Sequence, residues 1–589
     1  MNNNIKQNKC LKCKIAPCMK TCPINNNIPE IMKLYDKELY REAYDLLVSN
    51  NPLFMLCNKL CDHERFCGKN CLHKKVDSER FKFEKVEIDL FERYKFDFPF
   101  TTLLKEKKVL VIGAGPAGLS SAIHFRLQGY QVKVIDAYKH LGGTIYQLIP
   151  SFRYDTNILL ELENYLKDYI DFEFNKKVES LDMNTFEEYD HIMIGIGTSS
   201  PINFLNNEDV FIGHKLLDNI KNNNYQISNK KIAVLGLGNV AIDCARSLKR
   251  LGNDVEIIYR RTVDNAPASI EELEELKEEK IDVKELLGCV SFENHLGKFQ
   301  VMKLSDEVIN GRRSFIKTNK FIELPFDYLV EAYGSKPNYD LLLKDIILKD
   351  FVVNNKLITN NIGKLYFIGD FYTGASSIVE SISNGKKITL NVIDNDKVLE
   401  EIKNHLDNKP IVYGGSFNPF TLAHMQIYYY LYYNLSKNIL LLPNANNYPT
   451  KELLDYQERV DLIKLSLNNI DYIIDDSETK QDFKGTYLYL KNNNHPLFVM
   501  GSDNLRTIDK WINHDELIRE NKFIVIKRSN DECEEIIENN PLLKENTNNL
   551  FILNIDVLPI SSTNFRVDFN QELVKKEVYD EIIKKSYYK

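Results

Sequence analysis

Lys108-Val109-Leu110-Val111-Ile112-Gly113-Ala114-Gly115-Pro116-Ala117-Gly118 decides the fold of this chain. The apolar run predicts a buried strand over 108–112, and Gly113-x-Gly115-x-x-Gly118 predicts a tight turn into a helix over 117–127. Glycine at these places allows the turn, close approach of the backbone to a pyrophosphate, and packing of helix on strand. A second strand over 131–135 ends at Asp136, 23 residues after Gly113, where an acid can bind a ribose diol. The fingerprint alone is a weak signal. Strand, turn, helix, strand and acid together specify a dinucleotide site.

The pattern recurs further on. A strand over 232–235 leads into Gly236-x-Gly238-Asn239-x-Ala241, and the next strand, 255–259, ends in Arg260-Arg261 with no acid. Arginine there suits a 2′-phosphate, so NADPH is expected rather than NADH, against the plainer reading of a solvated Arg pair. Later strands are expected at 192–194 and 365–368. A third α/β unit starts at Pro410-Ile411-Val412-Tyr413, after a Lys-, Asp- and Asn-rich connector over 388–408 with a short amphipathic helix.

That third unit carries Gly414-Gly415-Ser416-Phe417-Asn418-Pro419-Phe420-Thr421-Leu422-Ala423-His424. Backbone amides at a helix start bind phosphate, and Thr421 and His424 stand one turn apart. Pro559-Ile560-Ser561-Ser562-Thr563-Asn564-Phe565-Arg566 offers a second hydroxyl-and-Arg cradle. Lys451, Asp503 and Trp511 lie between the two.

Eight of the 11 cysteines precede residue 72, as Cys10-x2-Cys13-x4-Cys18-x3-Cys22-Pro23 and Cys57-x3-Cys61-x5-Cys67-x3-Cys71. Without a secretory signal such a block reads as cluster or metal binding, not disulfides. Two structural zinc sites are the alternative. Zinc ribbons favour paired C-x2-C knuckles, and one occurs here, so iron–sulfur clusters are expected. Spacing alone does not assign each cysteine to a cluster. Residues 28–49 show helix-like apolar spacing.

The 589 residues suffice for about four domains. A net charge of −8 and a pI near 5.9 argue against nucleic acid as the main partner. The polar start lacks an apolar signal core, and no run approaches a membrane span, so no membrane association and a cytoplasmic location are expected.

Residues 1–395 resemble the glutamate synthase small (β) subunit family, whose module recurs in the N-terminal part of dihydropyrimidine dehydrogenase. Cys10–Pro23, Asn51-Pro52, Leu141-Gly142-Gly143 with Ile149-Pro150-Ser151-Phe152-Arg153, Tyr259-Arg260-Arg261 with Ala266-Pro267-Ala268-Ser269, and the 365–370 segment with Ser377-Ile378-Val379-Glu380 and Gly385 carry the likeness. The resemblance implies FAD held by Gly113, Gly115, Gly118, Asp136, Gly143, Gly369 and Asp370. It implies NADPH held by Gly236, Gly238, Asn239, Arg260 and Arg261. It implies two 4Fe-4S clusters: one on Cys10, Cys13, Cys18 and Cys71, the other on Cys22, Cys61, Cys67 and Glu92, with Cys57 spare. Electrons would pass to a partner such as a glutamate synthase large subunit or a ferredoxin-like carrier.

The last 180 residues resemble the T/HxGH nucleotidyltransferases, more narrowly nicotinate- or nicotinamide-nucleotide adenylyltransferase. Thr421 stands where the bacterial enzymes more often have His, and Ala423 replaces Gly. The likeness implies a reaction of ATP, with Mg²⁺, and a pyridine mononucleotide. Catalysis would fall to His424, Thr421, Lys451 and Arg566. The nucleotide would lie on Gly414, Gly415, Ser416, Phe417, Asp503, Trp511, Ser561 and Ser562. The alternative is an electron-transfer subunit whose C-terminal domain only binds or senses nucleotides. The expected fold class is multidomain α/β: a helical iron–sulfur domain (1–98), a Rossmann-like FAD domain (105–225 and 325–395), a Rossmann-like NAD(P)H domain (226–324) and a Rossmann-like nucleotidyltransferase domain (409–589).

Overall fold

A computed structural model describes residues 9–588 apart from 182–185, 223–224, 226, 310–311, 407–408, 447–451, 479–484 and 529–531. The cysteine-rich domain is helical. The expected helical stretch 28–49 forms two helices, Ile28–Asp36 and Tyr40–Asn50. Between them Glu38 adopts φ 62°, its N–H donates to Tyr35 O, and Leu39 N–H donates to Leu34 O. This is a Schellman stop, and glutamate in the position glycine usually takes hides it from sequence patterning. Tyr44, Leu47, Val48, Phe54, Val86 and Leu90 form the buried centre of this domain.

The first dinucleotide unit is a six-stranded sheet ordered Asn361–Ile362, Leu365–Phe367, His191–Ile194, Lys108–Ile112, Gln131–Ile135 and Asp171–Glu173. All neighbours run parallel except the first pair. The second sheet is parallel and ordered Val210–Ile212, Tyr328–Glu331, Lys231–Leu235, Asp254–Tyr259 and Asp282–Glu285. It takes in strands on both sides of the expected 226–324 span. A long antiparallel hairpin, Leu296–Ile309 and Arg312–Pro325, rises from it beside Leu287–Glu293. The third sheet is parallel: Ile473–Ile474, Ile439–Pro443, Ile411–Gly415, Leu497–Gly501, Phe523–Ile526 and Leu550–Leu553. The strands Lys108–Ile112, Lys231–Leu235 and Ile411–Gly415, each leading into a glycine loop, lie between two parallel neighbours. A crevice therefore opens at the C-terminal end of each, where such folds bind ligands.

The expected connector over 388–408 with a short helix is instead the second half of one 29-residue helix, Ile378–Leu406. Ser377 Oγ accepts from Glu380 N–H, and Glu380 Oε2 accepts from Ser377 N–H, a capping box at its start. No proline interrupts it. Its first half packs on Pro116–Leu127. Gly385 is required there, because a Cβ would fall 2.3 Å from Ala117 O. Its second half reaches the nucleotidyltransferase-like unit, where Asn395 Nδ2 donates to Asn554 O (3.0 Å) and Asn395 Oδ1 accepts from Asn554 N–H (2.9 Å). Fully buried Gln426 adds three donor contacts, to Thr359 Oγ1, Asn361 O and Asp556 O, and accepts from Leu558 N–H.

Mid-helix, Asp396 is 3% exposed and accepts from Tyr130 OH (2.6 Å), His191 Nε2 (2.9 Å) and Lys107 Nζ (2.7 Å). Burial alone would raise its pKa. The His191 and Lys107 charges outweigh burial and hold the carboxyl well below the usual range. A depressed folded-state pKa contributes stability above the ordinary Asp value of about 4 and loses it as pH falls further. In chemical denaturation at pH 7, Asp396→Asn should cost about 3 kcal/mol. That gap should narrow steadily below pH ~4. An acid-independent gap would contradict this role.

Candidate functional site

The described residues form three candidate sites. In the helical domain, the cysteines fall into two groups by their electrostatic neighbours. Cys10 and Cys18 face Cys13, Cys71 and each other. Cys61 faces Cys57, Cys67, Cys22 and Glu87. Burial pushes the Cys18 thiol up to about 11 and the Cys67 thiol up to about 12. Thiols so placed become thiolates only beside a cation, which a cluster's iron supplies. The donor set of soft sulfurs fits iron–sulfur ligation. Among the described residues no group of three or more His, Cys, Asp or Glu converges on a single-ion site.

One expectation changes here. Glu92 is exposed. The carboxyl that faces the second thiol group is Glu87, 3% exposed, raised to about 8 by burial, and bonded by Asn58 Nδ2 (3.2 Å). Both lie on the helix Glu84–Tyr94, and five residues of helix turn a side chain by about 140° onto another face. Cys57, expected to be spare, is buried within the same group and accepts a weak bond from Asn51 Nδ2 (3.6 Å).

The two dinucleotide crevices share one construction. A Cβ on Gly113 would fall 2.4 Å from Gly195 O, and one on Gly236 would fall 2.6 Å from Ala332 O. Both first glycines are pressed against the carbonyl that ends the neighbouring strand, at φ 104° and 127°. Gly118 packs on Gly113 O, where a Cβ would lie 1.9 Å away, whereas Gly115 faces open space, the cradle a phosphate needs. Gly143 backs onto the Gly115 Cα. Asp136 is buried, with one oxygen accepting from Ala114 N–H (2.6 Å) and the other from Tyr138 N–H (2.8 Å). It thus ties the glycine loop to the second strand, and its remaining lone pairs can take a ribose hydroxyl.

Gly369 N–H donates to Asn384 Oδ1, and Asp370 Oδ1 accepts from Ser376 Oγ and Ser381 Oγ (both 2.6 Å). Ser376, Ser381 and Asn384 were not singled out in the sequence; short-range polar contacts leave no spacing signal. Arg153 forks onto Asp243 (2.8 Å) and Glu272 (2.6 Å), joining the flavin-side loop to the second unit.

In the second crevice Gly238 and Asn239 open the helix Asn239–Arg250. Arg260 and Arg261 both lie over the Phe315 ring (4.8 and 5.2 Å). Burial, Arg261 and Arg312 together lower the Arg260 pKa. Such a cationic cluster is complementary to a phosphate dianion. Arg312 and Phe315 come from the hairpin, some 50 residues on, so local patterning did not reveal them.

The third site is a cavity of about 820 Å³ at the C-terminal ends of Ile411–Gly415 and Leu497–Gly501. Gly414, Gly415, Ser416, Phe417, His424, Asp503, Ser561, Ser562 and Arg566 line it, as expected from their motifs. Thr421 does not reach it. Thr421 is fully buried, caps the helix Leu422–Asn434, and donates its N–H to His424 Nδ1 (3.0 Å). An accepting Nδ1 puts the proton of the neutral ring on Nε2. Ala423 is buried in the helix and does not line the cavity. Trp511 packs edge-on against Phe498 (6.3 Å), also outside the lining. Lys451 lies outside the described residues.

The second cradle is clamped to the first. Ser562 Oγ donates to Pro419 O (2.8 Å), and Arg566 Nη1 donates to Asn418 O (2.5 Å). Ser561 caps the helix Ser562–Asp568. Arg459, fully buried, donates to Ser416 O (2.9 Å), Asn444 O (2.6 Å) and Leu454 O (3.0 Å), fixing the glycine loop from below. Arg528 lines the cavity 3.6 Å from Asp503. Arg459 lies in the helix Tyr456–Ser466 and Arg528 just past the strand Phe523–Ile526, neither within a motif that signals its role.

Replacing Gly113 with Ala should drive the glycine loop off Gly195 O. We expect the purified variant to hold at least about tenfold less flavin, a loss of about 1.4 kcal/mol or more in binding. Absorbance at flavin wavelengths checks this, and full occupancy would remove the packing argument.

Comparison with known proteins finds three family matches along the chain. Residues 2–102 match the family described as dihydropyrimidine dehydrogenase domain II, 4Fe-4S cluster. Residues 107–386 match pyridine nucleotide-disulphide oxidoreductase, and 412–567 match cytidylyltransferase-like proteins. The glutamate synthase [NADPH] small chain of Escherichia coli (strain K12) is 28% identical over 424 residues, 64% of this chain and 88% of that one. The putative oxidoreductase YgfK of the same organism is 26% identical over 425 residues, and the chain spans 40% of its length. The E. coli NAD-dependent dihydropyrimidine dehydrogenase subunit PreT is 25% identical over 400 residues, 64% of this chain and 90% of that one. Among the described residues no helix is long and apolar enough to cross a membrane. The first two thirds of the chain thus resemble glutamate synthase small-subunit-like oxidoreductases with a 4Fe-4S domain, and the last third resembles cytidylyltransferase-like proteins.

Proposed function

We propose that the chain carries two separate activities. The first is NADPH-dependent electron transfer to a protein acceptor. A bound flavin would split the electron pair of one hydride into single electrons, which clusters held by the cysteine-rich domain would carry onward. This chain's residues bind and orient: the glycine cradles hold pyrophosphates, Arg260, Arg261 and Arg312 meet the 2′-phosphate, and Arg153 couples the two dinucleotide units.

The second activity is adenylyl transfer from ATP to nicotinate or nicotinamide mononucleotide. The mononucleotide phosphate oxygen bonds to the α-phosphorus of ATP, the bond to the β-phosphate oxygen breaks, and pyrophosphate leaves. No covalent intermediate with the protein is required. Catalysis of this kind is positioning and charge stabilisation. The observation that carries the reading is His424, held by its Thr421 bond with an Nε2 proton, in a cavity shared with Ser562 and Arg566. In it His424 and Arg566 offset charge developing on the phosphates. The donors of the 414–417 loop hold them, and Mg²⁺ accompanies ATP.

Incubating the protein with ATP, Mg²⁺ and each mononucleotide, while following dinucleotide and pyrophosphate, tests the reading. We expect product from one mononucleotide and a loss of roughly a hundredfold or more in kcat for His424→Ala. Undiminished ATP binding with no product from either would reduce the domain to a nucleotide-binding or sensing unit.

A further inference from the structure

The two cysteine groups stand at different distances from the flavin unit. Ser383 Oγ, on the long helix, donates to Pro23 O (2.6 Å). Lys386 Nζ, one turn on, donates to Ile24 O (3.2 Å) and to Asn50 Oδ1. Pro23 and Ile24 directly follow Cys22, so the group containing Cys22 abuts the flavin-side helix. Arg65, between Cys61 and Cys67, reaches Glu380 at the start of the same helix (3.6 Å). Among the described residues the group containing Cys10, Cys13, Cys18 and Cys71 makes no such contact, and it is bordered by exposed chain.

That border is basic. Lys9, Lys14, Lys20, Lys69 and Lys75 are exposed, and each lies within four residues of a cysteine of this outer group. None of the five is ion-paired among the described residues, in a chain whose net charge is −8. No Asp or Glu occurs between residue 9 and Glu30. Three large apolar side chains stand among these lysines: Leu11 (46% exposed), Ile15 (72%) and Val76 (72%). Exposed Asp77 and Glu79 also stand near Val76, so the rim is mixed but predominantly cationic. An apolar centre with such a rim has the anatomy of a transient protein interface.

The geometry points to this face as the docking site of an acidic one-electron carrier protein, which would take electrons from a cluster held by the outer cysteine group. This rests on the electron-transfer reading above and adds the place and the charge of the partner. The balance is NADPH plus two oxidised carriers giving NADP⁺, one proton and two singly reduced carriers. Complementary charge would act mainly on encounter rate, so it should be sensitive to salt.

The test uses the cofactor-loaded full chain, NADPH, and an acidic 2Fe–2S ferredoxin as acceptor, with basic cytochrome c and neutral menadione as comparisons. Raising ionic strength from about 0.01 M to about 0.15 M shortens the Debye length from about 30 Å to about 8 Å. We expect kcat/KM for ferredoxin to fall at least about tenfold over that range. The triple substitution Lys14→Glu, Lys69→Glu, Lys75→Glu should lower it at least about tenfold at low salt, while menadione reduction and cluster EPR signals stay unchanged. Salt-independent ferredoxin reduction, or an unchanged rate in the triple variant, would overturn the proposal. So would faster reduction of cytochrome c than of ferredoxin. If NADPH fails to bleach the flavin at all, the underlying electron-transfer reading fails instead, and that outcome is seen before any carrier is added.

Discussion

One helix sets the positions of nearly everything else. Ile378–Leu406 is about 43 Å long. It starts beside Asp370 at the flavin cradle and touches the loop after Cys22 one turn later. It then crosses the first dinucleotide unit and ends against the edge strand of the nucleotidyltransferase-like sheet. The buried hydrogen bonds along it leave little freedom. Thr389 meets Ser121, Asp396 meets three donors, and Asn395 pairs with Asn554 through both polar ends of its amide. An unsatisfied group at any of these places would cost about 1–3 kcal/mol, so sliding the two halves past one another is strongly opposed.

The same framework keeps the two chemistries apart. The flavin and nicotinamide crevices open at the strand ends of the first two sheets, and the nucleotide cavity opens at those of the third. Contacts between the halves include those of Gln426 and Asn434 with the 359–363 segment, Asn395 with Asn554, and Lys575 with Asp350, all of them structural in character. Neither candidate site borrows a described residue from the other. On the proposed reading one half uses a pyridine dinucleotide and the other makes one, but the Arg260, Arg261 and Arg312 cluster would then suit a phosphorylated form that adenylyl transfer alone does not yield.

How much was legible in the sequence follows from the range of each interaction. The glycine fingerprints, Asp136 and the 414–424 loop were readable because a turn, a strand end and a helix cap are decided within some twenty residues. Glu87 was missed and Glu92 chosen because the identity of a facing carboxylate depends on which side of the helix Glu84–Tyr94 is buried, and only packing decides that. The long helix was read as a connector because its polar Lys, Asp and Asn residues resemble a linker. Several of them, including Asn395 and Asp396, are buried by partners distant in sequence. Arg459, Arg312 and Ser381 act through contacts of the same kind. Thr421 was correctly placed at a helix start, but the backbone cap, not an open phosphate site, is what satisfies it.

If the long helix binds both halves into one framework, ligand binding in one must be felt by the other. Scanning calorimetry of the full chain with flavin bound, and again after flavin removal, tests this most directly. The account predicts that removal lowers the unfolding temperature of the nucleotidyltransferase-like unit together with that of the flavin unit, within one cooperative transition. Two well-separated transitions, with that of the C-terminal unit unmoved by flavin, would contradict it.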